Sequence, residues 1–177
     1  LCFKTLTELA DLIQNKEVSS VEATQAVLNR IEAIDGKLHS YITVLPEKAM
    51  KQAQEAEQAI MRGDHRGPLH GVPIAIKDLC FTQGIRTTCA SKILADWVPD
   101  YNATVVEKLY AAGAVLLGKL NMTEFAYAGY HPSYQPPLNP WNPGHWSGAS
   151  SSGSGAATVA GLCFGSLGSD TGGSIRF

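Results

Sequence analysis

The order of elements in the middle of the chain constrains the fold more than any other feature of the sequence. Residues 72–77, Val-Pro-Ile-Ala-Ile-Lys, have the composition of a buried strand. Thr104 and Glu107 predict the start of a short helix, and Gly113 predicts its end. The apolar run 114–117 is typical of a strand that is covered on both faces. Strand, helix and strand in this order predict an α/β layered fold.

The region before this unit, residues 1–66, is predicted to be mostly helical. Two S/T-x-x-E capping boxes predict helix starts at Thr5 and Ser19. The second helix is expected to end at Gly36, because glycine is the usual residue just beyond a helix end. Residues 41–45 are rich in β-formers and predict a strand, which a third helix follows. This region carries no residue pattern typical of catalysis.

Composition excludes several classes of protein. A chain of 177 residues is long enough for one domain with a sizeable core. A net charge of −2 gives no basic field, so no nucleic-acid partner is predicted. The histidines and cysteines lack the spacings of metal sites, and we predict neither a metal nor a cofactor. No apolar run approaches the ~20 residues of a membrane span, and the dispersed cysteines favour a reducing, cytoplasmic location.

Two glycine- and serine-rich segments are the strongest candidates for chemistry. Residues 168–177 place Ser174 directly after two glycines, where a hydroxyl nucleophile would lie beside exposed backbone N–H groups. An ordinary turn has the same composition. Residues 148–155 could be a linker, a phosphate loop or a catalytic loop. A helix-like segment, residues 156–160, follows at once, and Ser154 stands where a phosphate loop needs lysine, so a catalytic loop is favoured.

Lys77 ends the first predicted strand of the α/β unit. A lysine there is often an edge residue whose amine reaches solvent. To act as a base near neutral pH, its pKa must fall by roughly three units from ~10.4, which burial among apolar neighbours could cause. The carboxylate of Asp78 would oppose that shift. Consecutive strand residues point to opposite faces, so we expect the two side chains to be separated.

Three segments occur together in one order: Gly71-Val-Pro-Ile-Ala-Ile-Lys-Asp78, Gly148-Ala-Ser-Ser-Ser-Gly-Ser154 and Ser169-Asp-Thr-Gly-Gly-Ser-Ile-Arg176. In this combination the chain resembles the amidase signature family of serine amidohydrolases, over nearly its whole length. The resemblance implies a mixed central β-sheet flanked by helices. It also implies that residues 1–177 are the N-terminal part of a single amidase domain. In that domain, residues 1–66 are the helical lead-in and residues 67–177 the catalytic signature region.

The resemblance implies a Ser–Ser–Lys catalytic triad. Ser174 matches the nucleophile, and Lys77 matches the base. Ser150 matches the bridging serine, which family members hold on a cis peptide bond. The family more often has glycine where this chain has Ala149 and Ser152, and the spacing to Ser174 selects Ser150 as the bridging residue.

Other residues of the two loops are implied to support this triad. The oxyanion hole is matched by consecutive backbone N–H groups, those of Thr171, Gly172, Gly173 and Ser174. Ser151 is expected to make structural hydrogen bonds beside Ser150. Asp170 and Arg176 flank the nucleophile with opposite charges, as either a brace for the loop or two solvated turn residues.

The resemblance implies hydrolysis of a small-molecule carboxamide to an acid and ammonia or an amine, without a cofactor, by a protein that could be a homodimer. One alternative is the glutamine-hydrolysing component of a tRNA-dependent amidotransferase. Those proteins usually carry Gly-Ser-Ser-Thr-Glu where this chain reads Ala126-Tyr-Ala-Gly-Tyr-His-Pro132. A second alternative is a truncated product. We expect the 177 residues alone to be insoluble or inactive, because sheet edges and apolar faces would be left uncovered.

Overall fold

The computed structural model describes all residues from Leu1 to Phe177. Its helices are α1 (Leu6–Gln14), α2 (Ser20–Leu38), α3 (Pro46–Met61), α4 (Thr104–Ala111) and α5 (Ser152–Val159). Its strands are β1 (Tyr41–Val44), β2 (Pro73–Lys77), β3 (Val115–Leu120) and β4 (Gly165–Leu167). Two single turns of 3₁₀ helix complete the secondary structure, at Lys92–Leu94 and Glu124–Ala126.

The four strands form one mixed sheet in the order β1-β3-β2-β4. Strands β2, β3 and β4 are parallel, and β1 pairs with β3 in the antiparallel direction. The prediction of an α/β fold with a mixed central sheet flanked by helices is therefore confirmed. Because β2, β3 and β4 run the same way, their carboxyl ends meet at one edge of the sheet, where open α/β sheets bind ligands.

The helix starts predicted in the first third are present. Thr5 and Ser19 are the N-cap residues of α1 and α2, and both make complete capping boxes with the glutamate three positions later. Pro46 occupies the first turn of α3, where its missing N–H costs no helical hydrogen bond. Local chemistry alone explains these three starts.

Two helix boundaries differ from the prediction. Gly36 lies inside α2, which ends at Leu38, and His39 takes the left-handed conformation at φ 55°. The turn forms here because the buried Asp35 carboxylate accepts hydrogen bonds from the backbone N–H groups of Ser40 and Tyr41. Thr104 is the first residue of α4 and does not cap it. The N-cap is Ala103, which has no side-chain acceptor.

The sheet packs against helices on both faces. The larger hydrophobic cluster joins it to α1, α2, α3 and α5 and contains Val115 and Leu117 of β3. The smaller cluster contains Leu116 of the same strand and Val106 of α4. Neighbouring residues of β3 are thus buried on opposite sides, which confirms a strand covered on both faces, although it begins at Val115, one residue later than predicted.

Candidate active site

The Lys77 side chain ends β2 and is fully buried, at 0 % exposure. Its ammonium nitrogen donates to three hydroxyl groups: Ser150 Oγ at 2.7 Å, Ser151 Oγ at 2.9 Å and Ser169 Oγ at 2.9 Å. Burial lowers the pKa of Lys77 from 10.5 to about 8, although the nearby Cys80 and Asp170 act in the opposite direction. Of the two interpretations of this lysine, the structure shows the buried amine and not the edge residue that reaches solvent.

Asp78 is separated from Lys77, as its position on the strand predicted. Its carboxylate accepts hydrogen bonds from the backbone N–H and the hydroxyl of Thr88, at 2.7 and 2.6 Å. Its second oxygen lies 3.2 Å from Lys119 Nζ in an ion pair whose two side chains are both fully buried. The carboxylate that follows Lys77 in sequence therefore serves a different cation.

Residues 148–155 contain the start of α5, so this segment is neither a linker nor a detached loop. The helix begins at Ser152, earlier than the predicted segment 156–160. It can begin there because Gly153 lies flat against the end of β3. A Cβ atom on Gly153 would come within 2.3 Å of the Asn121 carbonyl oxygen. Close backbone packing holds the serine segment beside the end of the sheet.

All peptide bonds in the structure are trans. The prediction that Ser150 follows a cis bond is therefore wrong for this structure. The trans form is the one that non-proline peptide bonds ordinarily adopt. Ser150 is buried, and its hydroxyl contacts Lys77 in this arrangement.

The loop that contains Ser174 follows β4 and is organised around one carboxylate. Asp170 accepts hydrogen bonds from the backbone N–H groups of Gly173 at 2.6 Å and Ile175 at 3.2 Å. Arg176 donates to both oxygens of the same carboxylate at 2.9 Å. These bonds, Arg176 first, hold the pKa of Asp170 well below its usual range. Of the two interpretations left open, the structure therefore shows the paired charges.

Ser174 is half-buried at the centre of this loop. Its carbonyl oxygen accepts a hydrogen bond from the backbone N–H of Ser151 at 3.2 Å, which places the two serine segments side by side. The Ser174 hydroxyl makes no hydrogen bond to a protein group. The structure thus brings the Lys77 and Ser150 side chains into contact and joins the Ser174 backbone to Ser151, the residue that follows Ser150.

The backbone donors near Ser174 fall into two groups. The N–H groups of Thr171, Gly172 and Ser174 donate to no protein acceptor, whereas the Gly173 N–H is bonded to Asp170. Gly173 has a φ of 114° and lies under the Phe177 ring, where a Cβ atom would come within 2.1 Å of a ring carbon. Only glycine fits that position.

Sequence reasoning missed two residues near the site, Ser169 and Lys119. Ser169 lies within one of the three signature segments, yet a serine in a turn carries no signal of contact with a lysine 92 positions away. Lys119 lies on β3 shortly after the apolar run 114–117 and directly before Leu120, and that placement is the signal that would have indicated a buried cation. The Tyr130 hydroxyl lies 2.6 Å from Ser152 Oγ, and this contact ties the loop that follows Tyr130 to α5.

No helix of the structure has the length and apolar character needed to cross a membrane. The four cysteines, Cys2, Cys80, Cys89 and Cys163, are all unpaired. No group of three or more His, Cys, Asp or Glu side chains is arranged to hold a metal ion.

Comparison with known proteins agrees with this geometry. The chain is 57 % identical over 172 residues to a predicted amidase of Mycobacterium tuberculosis, AmiD, in a match that covers 97 % of this chain and 36 % of that protein. It is 52 % identical over 178 residues to a component of the glutamyl-tRNA(Gln) amidotransferase of Moorella thermoacetica, in a match that covers 99 % of this chain and 37 % of that protein. The chain thus spans about a third of the length of the curated relatives it matches.

Solved structures give the same result. A peptide amidase bound to the competitive inhibitor chymostatin superposes with a TM-score of 0.92 at 34 % identity, over 98 % of this chain and 37 % of that one. A 6-aminohexanoate cyclic dimer hydrolase superposes with a TM-score of 0.88 at 32 % identity, over 99 % of this chain and 36 % of that one. The Amidase family model matches residues 22–177, and the chain belongs to that family.

Proposed function

We propose that this chain forms the catalytic part of an amide hydrolase, which cleaves a carboxamide to a carboxylic acid and ammonia or an amine. The observation that carries the proposal is the buried Lys77 amine, 2.7 Å from the Ser150 hydroxyl and next to the loop that presents Ser174. A lysine with a pKa near 8 is partly neutral at physiological pH and can accept a proton. Membership of the Amidase family supports this reaction class.

In the proposed first step, Ser174 Oγ attacks the carbonyl carbon of the amide. Its proton passes to Ser150 Oγ, and the Ser150 proton passes to neutral Lys77. The tetrahedral intermediate then collapses, and the C–N bond breaks. The proton returns from Lys77 through Ser150 to the leaving nitrogen, which departs as ammonia or an amine. An ester on Ser174 remains.

In the second step, water attacks this acyl-enzyme by the same route. Its proton passes through Ser150 to Lys77, and the hydroxyl oxygen bonds to the acyl carbon. The ester bond breaks, and the proton returns to Ser174 Oγ as the acid leaves. The half-buried Ser174 hydroxyl has no protein partner, so its rotation toward Ser150 breaks no existing hydrogen bond.

The carbonyl oxygen gains negative charge in both steps. We assign its stabilisation to the N–H groups of Thr171, Gly172 and Ser174, which are unpaired in the structure. Gly173 belongs to the same set by resemblance, although its N–H is bonded to Asp170 and would have to leave it. Removal of one such donor typically lowers turnover by about 10²–10³-fold. Asp170, paired with Arg176, and Ser151 would hold the loop in position.

Substitution of the nucleophile tests the proposal. We expect Ser174→Ala in the full-length protein to abolish ammonia release from a panel of aliphatic and aromatic primary carboxamides. Ser133→Ala, which removes an exposed hydroxyl from the loop that follows Tyr130, is the matched control and should leave the rate unchanged. Mass spectrometry after rapid quenching should detect an acylated peptide that contains Ser174. Full activity of Ser174→Ala would refute the proposed function.

A second candidate function is glutamine hydrolysis in a tRNA-dependent amidotransferase. The identity of 52 % to the amidotransferase component of Moorella thermoacetica favours it, and the segment 126–132 does not. Both functions use the same Ser174 chemistry and differ in substrate and assembly. Ammonia release from glutamine that depends on added partner proteins would select this second function. Release from simple carboxamides by the isolated protein would select the first.

The substrate class and the assembly remain proposals for the whole protein. We propose a small-molecule amide as substrate, and light scattering of the full-length protein would show whether it forms the homodimer named above as a possibility. The cytoplasmic location stays a prediction from the dispersed cysteines.

A further inference from the structure

The three hydroxyls around Lys77 differ in how many of their own hydrogen-bonding positions are already used. Ser151 Oγ accepts from Lys77 at 2.9 Å and from the backbone N–H of Ser169 at 3.2 Å. It also donates its single hydrogen to the Ser169 carbonyl oxygen at 2.9 Å. A hydroxyl has one hydrogen and two lone pairs, so Ser151 has no capacity left. It can only accept from the lysine.

Ser169 connects the nucleophile loop to this centre. Its backbone N–H and carbonyl group both bond to Ser151 Oγ, and its own Oγ accepts from Lys77 at 2.9 Å. The polypeptide continues from Ser169 directly into Asp170 and the loop around Ser174. The position of the Lys77 nitrogen is therefore tied to the loop that holds the nucleophile.

The protonation state of Lys77 determines how many of the three hydroxyls accept a hydrogen from its nitrogen and how many must donate one to it. The ammonium form has three hydrogens, and three hydroxyls accept them. The neutral amine has two hydrogens and one lone pair, so one of the three hydroxyls must turn and donate to nitrogen. Ser151 has no hydrogen to spare. The lone pair must therefore face either Ser150 or Ser169.

We propose that Ser169 and Ser151 are positioning residues that take the two hydrogens of neutral Lys77, so that its lone pair points at Ser150. This inference rests on the proposed function, in which Ser150 passes a proton to Lys77. If Ser169 turned and donated instead, the lone pair would face away from the relay and the base would be misaligned. Ser151 cannot donate to the lysine because its hydrogen is already used, so the proton path depends on whether Ser150 or Ser169 faces the lone pair.

The pH dependence of the reaction rate can test this assignment, because the charges that act on Lys77 are known. The other titratable groups that act on it are Cys80, which follows β2, and Asp170, which belongs to the nucleophile loop. Asp78 on the opposite face is paired with Lys119. Removal of a hydroxyl acceptor weakens the ammonium form more than the neutral amine, because hydrogen bonds to charged groups are the stronger ones.

The test compares Ser169→Ala with Ser169→Thr in the full-length enzyme, with primary carboxamides as substrates. We expect Ser169→Ala to lower kcat by roughly 10- to 100-fold with KM changed by less than about twofold. In a plot of kcat/KM against pH, the acid limb of this variant should lie about one pH unit below that of the wild type. Ser169→Thr keeps the hydroxyl and should restore the wild-type limb and most of the rate.

An Ala variant that loses rate without any movement of the acid limb would overturn the proposal, as would unchanged kcat. If Ser169→Ala does not fold, Ser169→Cys keeps the volume with a weaker acceptor and should show the same downward shift, and an unshifted limb there would also overturn the proposal. The Ser174→Ala variant separates the proposed function from the positioning role. If it is inactive while Ser169→Ala behaves as wild type, the proposed function stands and only the positioning role fails.

Discussion

Two buried lysines on neighbouring parallel strands have opposite surroundings. Lys77 at the end of β2 and Lys119 on β3 are both 0 % exposed. Lys77 contacts hydroxyl groups, which carry no charge. Lys119 donates to the Cys80 carbonyl oxygen at 2.8 Å and to Thr87 Oγ1 at 2.7 Å, and it faces the Asp78 carboxylate. The same residue type, equally buried, has a charged partner in one case and none in the other.

The difference arises because Asp78, although adjacent to Lys77 in sequence, pairs with Lys119. Burial lowers the pKa of both lysines, and at Lys119 the Asp78 carboxylate counteracts that effect. The alternation of the strand turns Asp78 away from Lys77 and toward Lys119. One carboxylate thus neutralises the structural cation and leaves the other lysine able to lose its proton. We therefore expect a buried lysine to act as a base where its hydrogen-bond partners are all hydroxyl groups.

The largest expected effect is on activity. We expect Lys77→Met to lower kcat/KM by about 10²–10⁴-fold, because the proton acceptor is removed. Its free energy of unfolding at pH 7 should be no lower than that of the wild type, because burial of an unpaired charge no longer has to be overcome. Steady-state kinetics and urea denaturation of the full-length protein measure the two quantities. Retention of a tenth of the activity would contradict the assignment of Lys77 as the base.

The next effect is on stability, at the other lysine. Lys119→Met leaves the Asp78 carboxylate buried without its cation, and we expect a loss of about 3–5 kcal/mol in the free energy of unfolding. The double variant Lys119→Met with Asp78→Asn removes both charges and keeps an oxygen that can accept from Thr88, so it should recover much of that loss. Lys51→Met on an exposed face of α3 is the control and should change stability by less than about 0.5 kcal/mol. A Lys119 variant as mild as this control would remove the contrast between the two lysines.

The smallest effect, about tenfold for one pH unit near neutrality, is the pH dependence of the wild type. Lys77 accepts a proton only when neutral, so kcat/KM should rise with pH, about tenfold per pH unit, and level off above about 8. Because the pKa of Lys77 is lowered, this limb should lie at lower pH than it would for a lysine with an ordinary pKa. A profile of kcat/KM from pH 5.5 to 10 measures the limb. A rate that falls between pH 6 and 8 would contradict a lysine base.

Short-range chemistry made much of the fold predictable. The capping boxes at Thr5 and Ser19 and the proline of α3 depend on residues within one helical turn. The separation of Lys77 from Asp78 follows from strand alternation. The end of α2 was not predictable in this way. The helix ends where the buried Asp35 carboxylate accepts hydrogen bonds from the backbone that leads into β1. Gly36 can lie inside the helix because a glycine there costs only about 1 kcal/mol of stability relative to alanine.

In the candidate site, too, some features are predictable from the sequence and others depend on tertiary contacts. The resemblance selects Lys77, Ser150 and Ser174 as residue types in order, while their catalytic roles stay predictions. The contacts of Ser169 and Lys119 arise when segments 32 to 92 residues apart in sequence are brought together by the sheet. Single-residue patterns carry no information about such pairs. The start of α5 at Ser152 likewise depends on a tertiary contact of Gly153.

The flat contact of Gly153 against the Asn121 carbonyl has a consequence for attempts to change the substrate range. At Gly153 the helix contacts backbone atoms directly, so no neighbouring side chain can be trimmed to make room for a larger residue, and libraries that vary this position should yield few active clones. The loop that follows Tyr130 offers more tolerant positions, since Trp141 and Trp146 are 85 % and 70 % exposed. Directed evolution of this protein should therefore concentrate its substitutions on that loop.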